Sequence, residues 1–223
     1  MPTNEYNGLE ADLEIIPAGT KLYRINPTHA PWKANSYNPL PPSPLGTPGQ
    51  GRFEPLDASL GHYIYLAQSV EGALAEGVLR GEKITAGLIR RHWLVGRRGN
   101  MPGGKLGKSL VTMRLEEDVA VASLYGAHSS RLNLNASLLL GEDYNRTRET
   151  GTKVLANTVT ANGLKYRCAN HDDLKSLMFI SRHGPAKLTI LNEVDIFYDD
   201  AGRKKVLEIL DSEFNLKYSG KTP

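Results

Sequence analysis

The sequence predicts an α+β fold. Short alternating stretches of strand length are interspersed with a few helical segments, these do not alternate as regular βαβ units, and no internal repeat is visible. With 223 residues the chain can bury a substantial core, and we read one domain, 1–223, with helices flanking a sheet.

In chain order, residues 21–26 alternate and stop at Pro27, which reads as a strand. A proline-rich loop follows at about 27–50. Pro31, Pro39, Pro41, Pro42, Pro44 and Pro48, with Gly46 and Gly49, exclude both helix and central strand, since each proline lacks a ladder donor and restricts the residue before it. A segment of that length is expected to act as a lid or a partner-binding loop. Residues 62–67 read as a strand with Tyr63 and Tyr65 on one face. Ser69 fits an N-cap for a helix over 70–79, whose inward stripe of Val70, Ala73, Leu74, Gly77 and Val78 leaves Glu76 near its edge, where a carboxylate faces a cleft. Val111, Met113 and Leu115 alternate as a strand, and residues 119–124 read as another. Helices are expected over 143–158 and 202–214, and strands over 163–168, 176–181 and 187–198.

A hydrophobic content of 40% and a charged content of 23% are those of a globular protein, and no apolar run is long enough for a membrane span. The start, Met1-Pro2-Thr3-Asn4-Glu5, lacks the pattern of a secretory signal. The single cysteine, Cys168, excludes an intrachain disulfide, so the expected compartment is the reducing cytoplasm; export without a cleaved signal would leave no trace. The net charge of +3 does not by itself imply nucleic acid. Its distribution is uneven, because Lys83, Arg90, Arg91, Arg97, Arg98, Lys105, Lys108 and Arg114 fall in a stretch without acids. This basic insertion at about 83–114 reads as solvated surface, as a landing site for an acidic partner, or as a phosphate-binding strip.

Three patterns carry little chemistry. Residues 102–109, Pro-Gly-Gly-Lys-Leu-Gly-Lys-Ser, nearly spell a phosphate-cradling loop, but the first glycine position is proline and a strand pattern follows where a helix N-terminus is needed. His171-Asp172-Asp173 and His183 lack metal-ligand spacing, and no metal is expected. Ser129, Ser181 and the histidines give no nucleophile-elbow spacing.

The fourth pattern is a series of short elements: Tyr23-Arg24-Ile25, Gly51-Arg52-Phe53, Tyr65-Leu66-Ala67 and Ala73-Leu74-Ala75-Glu76. Singly, Arg24 suits a surface or salt-bridged strand residue, Glu76 an ordinary helix carboxylate, and Tyr63 or Tyr65 a core position. In this order and spacing they resemble the RES domain, the toxin of RES–Xre toxin–antitoxin systems. The close resemblance covers about residues 20–80. A looser one covers about 160–182, where Gly163-Leu164-Lys165-Tyr166-Arg167-Cys168 places a cysteine at the position of the family's serine. A thiol is a weaker hydrogen-bond donor than a hydroxyl, and Cys168 also suits a small buried hydrophobe.

The resemblance implies an ADP-ribosyltransferase-like split β-sheet core and an enzyme that degrades NAD+ as its substrate, a glycohydrolase or a phosphorylase. Nicotinamide leaves NAD+ as a neutral molecule from a cationic state, so no general acid is required and one carboxylate can suffice. The resemblance then implies Glu76 as the group that stabilises the ribose cation, Arg24 and Arg52 as holders of the diphosphate, Tyr65 and Tyr63 as ring clamps, and Cys168 as a cofactor-binding residue. It also implies a cognate antitoxin or immunity protein, of Xre type, as partner, with inorganic phosphate an alternative acceptor to water; a homo-oligomer is compatible with the sequence. Two other readings remain open: ADP-ribosyl transfer to a protein or nucleic acid, and a non-enzymatic nucleic-acid-binding module using the basic strip. The scarcity of interleaved aromatics, Trp93 apart, counts against the last.

Overall fold

The computed structural model describes residues 5–28, 30, 32–47, 51–80, 84–90, 107–140, 144–169, 171–196 and 200–219. Ten strands are described: β1 (Leu13–Ile16), β2 (Lys21–Pro27), β3 (Tyr63–Ala67), β4 (Leu88–Arg90), β5 (Lys108–Leu115), β6 (Val119–Ser123), β7 (Gly163–Arg167), β8 (Lys175–Ile180), β9 (Leu188–Asp195) and β10 (Lys217–Ser219). The helices are α1 (Val70–Leu74), α2 (Gly126–Arg131), α3 (Ala136–Leu140), α4 (Tyr144–Asn157) and α5 (Asp200–Phe214). The fold is α+β, as the sequence predicts.

Eight strands form a mixed sheet in the order β1-β6-β7-β8-β3-β2-β5-β9, parallel only between β6 and β7. Period-two alternation places side chains on both of its faces. On β3, Ile64 and Leu66 join a cluster with Leu22, Val111 and Phe179, while Tyr63 and Tyr65 pack against one containing Phe53, Val154 and Leu164. On β2, Tyr23 and Ile25 pack against a third cluster with Leu74, Val78, Val206 and Leu210, which α1 and α5 bring to the sheet.

The sheet splits between β3 and β2. β2 pairs with β5 over seven positions, from Lys21↔Arg114 to Pro27↔Lys108, but with β3 only through Tyr23↔Ala67. Beyond that pair the strands part, leaving Arg24 and Ile25 across a gap from Leu66 and Tyr65.

The expected helix over 70–79 begins as predicted, with Ser69 Oγ accepting from Gly72 N–H at 3.0 Å, but only Val70–Leu74 is α-helical; Ala75–Leu79 is a π-helical turn. Such widened turns recur at functional sites. Gly77 permits this one to lie against β2, because a Cβ there would come within 2.5 Å of Ile25 Cβ.

The proline-rich segment is irregular as expected, yet it is strapped down rather than hanging as a free lid. Arg24 Nη1 donates to Ala34 O at 2.6 Å and Ser36 O at 3.4 Å, and Asn38 N–H donates to Tyr63 O at 2.7 Å. Further along, buried Arg148 donates to Ser43 O at 2.5 Å and Pro44 O at 3.2 Å, and Gly46 N–H donates to Asn145 Oδ1 at 2.7 Å. Of the basic insertion, Arg91, Arg97, Arg98, Lys105 and Lys83 lie outside the described residues, as does most of the near-phosphate-loop; its last residues, Lys108 and Ser109, begin β5 and no helix.

The elements absent from the sequence reading are short. β1 is a four-residue edge strand with Leu13 and Ile15 at 43% and 57% exposure and only Ile16 buried, so its apolar residues do not mark a buried face. β4 and β10 are three-residue partners that form a parallel pair only when distant segments meet.

Candidate active site

The split in the sheet holds a cavity of about 200 Å³ lined by β2, β3 and the helix that follows β3, with Glu76, Arg24, Arg80, Tyr65, Tyr23 and Tyr166 among its walls. Complete small-ligand sites occupy roughly 300–1,000 Å³. At about 200 Å³ this one is smaller than that range.

Glu76 is 12% exposed and its two oxygens differ. Oε1 accepts from Arg52 Nη2 at 2.6 Å and from Ala169 N–H at 3.1 Å. Oε2 is buried without a hydrogen-bond partner, and Arg80 Nη1 lies 3.6 Å from it. The carboxylate is therefore hydrogen-bonded through one oxygen, while the other has only the loose ion pair with Arg80.

Arg52 accounts for the first oxygen. The Gly51-Arg52-Phe53 turn is held against β3, where Phe53 N–H donates to Tyr65 Oη at 2.8 Å and a Cβ at Gly51 would come within 2.5 Å of the Tyr65 ring. That turn directs the Arg52 side chain inward to 1% exposure, its Cζ 4.8 Å from the Tyr166 ring centre, with Nη1 donating to Leu139 O at 3.3 Å. The sequence resemblance implies that Arg52 holds a diphosphate. The structure places its guanidinium behind Glu76, outside the cavity lining, where a buried carboxylate and two carbonyls occupy it.

Arg24 does line the cavity, although its guanidinium also bonds the proline-rich segment. No carboxylate pairs with it among the described residues, and burial pushes its pKa down to about 10. It is a desolvated cation at an open cleft. Tyr65 reaches the cavity with its ring while its hydroxyl receives the Phe53 amide. Tyr63 does not line the cavity; its hydroxyl accepts from Asn38 Nδ2 at 2.6 Å, and its ring packs edge-on against Tyr65 with centroids 5.6 Å apart. Burial raises the phenol pKa of both.

Cys168 is fully buried beneath α1, with Sγ 3.1 Å from Ser176 Oγ, and burial pushes its thiol up to about 11. It too lies outside the cavity lining, so the structure supports the small buried residue and not a cofactor contact.

Two cavity residues carry no role in the sequence reading. Arg80, one turn after Glu76, lies with its Cζ 5.3 Å from the Tyr144 ring centre. Burial works against its charge, but Tyr65, Tyr144 and Glu76 outweigh it and the pKa is raised. The i, i+4 spacing from Glu76 was the available signal. Tyr166 stands at the centre of the Gly163–Cys168 motif, its phenol pKa raised by burial and then by Glu76. Ala169 acts through its backbone, which no sequence pattern marks.

The same fold occurs in a solved toxin–antitoxin complex. A chain of the crystal structure of the M. tuberculosis MbcT–MbcA toxin–antitoxin complex superposes with a TM-score of 0.52 and 18% sequence identity, over 81% of this chain and 86% of that one. No protein-family model matches the chain, and no curated protein matches it. Among the described residues no helix is long and apolar enough to cross a membrane, and no three His, Cys, Asp or Glu side chains gather as metal ligands.

Proposed function

We propose that this protein is a toxin that cleaves the nicotinamide–ribose bond of NAD+. The observation that carries the reading is the asymmetric Glu76 carboxylate in the wall of the cavity, with Oε1 fixed by Arg52 and Ala169 and Oε2 without a hydrogen bond.

The C1′–N1 bond breaks, and its electron pair passes to the ring nitrogen, which leaves neutral; no proton donor is required. Positive charge develops on the ribose, and a preorganised anion stabilises it because no solvent has to reorganise. Glu76 is that anion, with Oε2 also placed to accept a hydrogen bond from a ribose hydroxyl. The Tyr65 and Tyr166 rings form the apolar wall for nicotinamide. Arg24 and Arg80 supply the cations for the diphosphate. A water or phosphate oxygen then bonds to C1′, and a water gives its surplus proton to solvent.

The shared fold with a chain of a toxin–antitoxin complex supports a protein inhibitor as partner, one that covers the mouth of the cleft. The test is to incubate the purified chain with NAD+, with and without inorganic phosphate. Release of nicotinamide with ADP-ribose, or with its phosphorylated form when phosphate is present, is expected; an unchanged NAD+ pool overturns the reading.

A further inference from the structure

We infer that Arg80 masks Glu76 until the phosphate groups of the substrate draw it away, so that this arginine makes the carboxylate available only to phosphate-bearing ligands. The inference rests on the NAD+-cleaving reading and names what selects its substrate.

Two arginines flank the carboxylate and a third lines the same cavity, and their hydrogen-bonding capacity is spent differently. Arg52 is buried and donates to Glu76, Leu139 O and Arg167 O. Arg24 donates to Ala34 O and Ser36 O. Arg80 makes no hydrogen bond among the described residues, although it carries five N–H donors on a side chain 22% exposed. Its contacts are the Tyr144 ring at 5.3 Å and Glu76 Oε2 at 3.6 Å, too long for a hydrogen bond.

Glu76 Oε2 is shielded from solvent in this arrangement. A ribose can reach it only after a neighbour moves, and Arg80 is the neighbour whose departure breaks no hydrogen bond among the described residues. A diphosphate at the cavity mouth offers it paired, charge-assisted bonds in place of one loose ion pair. Arg80 therefore leaves Oε2 as the phosphates bind, and the carboxylate is uncovered beside the sugar. A nucleoside without phosphates has nothing to move Arg80 and meets a neutralised carboxylate. The π-helical turn Ala75–Leu79 carries Glu76, and Arg80 caps its C-terminal end, which sets their spacing.

The experiment compares NAD+ with nicotinamide riboside, which has the same scissile bond and no phosphate, in wild type and Arg80→Gln. Calorimetric binding of ADP-ribose is measured on both proteins. Losing a charge-assisted contact lowers the preference for NAD+ over the riboside by roughly 10- to 100-fold, and ADP-ribose binds Arg80→Gln correspondingly more weakly. Arg80→Lys, which keeps the charge without the fork, recovers part of the preference. An equal loss on both substrates, or an unchanged preference, overturns the inference while leaving NAD+ cleavage standing. If wild type does not cleave NAD+, the functional proposal fails and binding alone decides this one: weaker ADP-ribose binding by Arg80→Gln supports it, and equal binding overturns it.

Discussion

Arg52 Nη2 and Glu76 Oε1 meet at 2.6 Å, joining a guanidinium that is 1% exposed to a carboxylate that is 12% exposed. Twenty-four residues separate them in the chain, and the pair sits where the Gly51-Arg52-Phe53 turn meets the helix after β3. The arrangement separates two tasks, since Arg52 positions the carboxylate while the rest of the cavity is left to the ligand.

Removing the charge from this carboxylate should cost catalysis more than folding. Glu76→Gln keeps the shape and a carbonyl for Arg52, and nicotinamide release is expected to fall by about 10²- to 10³-fold, the size of one lost preorganised electrostatic contact. Release at the wild-type rate would remove Glu76 from the mechanism.

Arg52 should be needed for both stability and activity. Arg52→Ala leaves Glu76 without its hydrogen-bonded cation, and breaking a buried pair in this way costs about 3–5 kcal/mol. Arg52→Lys should rescue little, because an ammonium cannot span Glu76 Oε1, Leu139 O and Arg167 O as the planar fork does. Urea unfolding of the three proteins, with nicotinamide release measured on each, checks both parts. Full stability of Arg52→Lys would show that charge alone matters there.

Gly77 should tolerate no larger residue while Ile25 is present. Gly77→Ala forces a Cβ to within 2.5 Å of Ile25 Cβ, and overpacking of this kind costs about 1–3 kcal/mol. Because the conflict is local, Gly77→Ala combined with Ile25→Gly, which removes the Ile25 Cβ, should cost less than the sum of the single changes. Strict additivity in a double-mutant cycle would place the strain elsewhere.

Alkaline pH should destabilise the fold. The Cys168 thiol titrates near 9 when unfolded and is raised to about 11 by burial, so above pH 9 the unfolded chain loses a proton that the folded chain keeps. This contribution to stability is fully present below about pH 9 and is lost as pH rises towards 11. The raised phenols of Tyr63 and Tyr65 act in the same sense above pH 10. Urea midpoints should fall between pH 8 and 10.5, less steeply for Cys168→Ala than for wild type; identical slopes would discount the thiol.

The strap on the proline-rich segment should open when Arg148 is replaced. Arg148→Met removes the donors to Ser43 O, Pro44 O and Glu54 O. Limited chymotrypsin digestion should then cut after Leu45, already 45% exposed, faster than in wild type. An unchanged digestion pattern would assign the hold to Arg24 and Asn145 instead.

Periodicity alone was enough for most of the strands and both long helices, because apolar spacing is a local property and those elements are long enough to display it. The Ser69 cap and the proline-rich segment were legible for the same reason, since each depends on its own residues. The resemblance carried by the order and spacing of the short elements marked Glu76, Arg24 and Tyr65, which the fold brings to one cavity.

What only tertiary structure decided was the direction and company of each side chain. Tyr63 and Tyr65 share a strand face, yet only Tyr65 reaches the cavity, because the segment around Asn38 covers Tyr63. Arg52 and Arg80 look equivalent as sequence, but a turn pressed on Tyr65 buries the first behind Glu76 and a π-helical turn leaves the second at the cavity. Sequence determined which elements exist and which charges they carry; the split between β2 and β3 decided which of those charges meet, because contacts between distant segments form only when the sheet assembles.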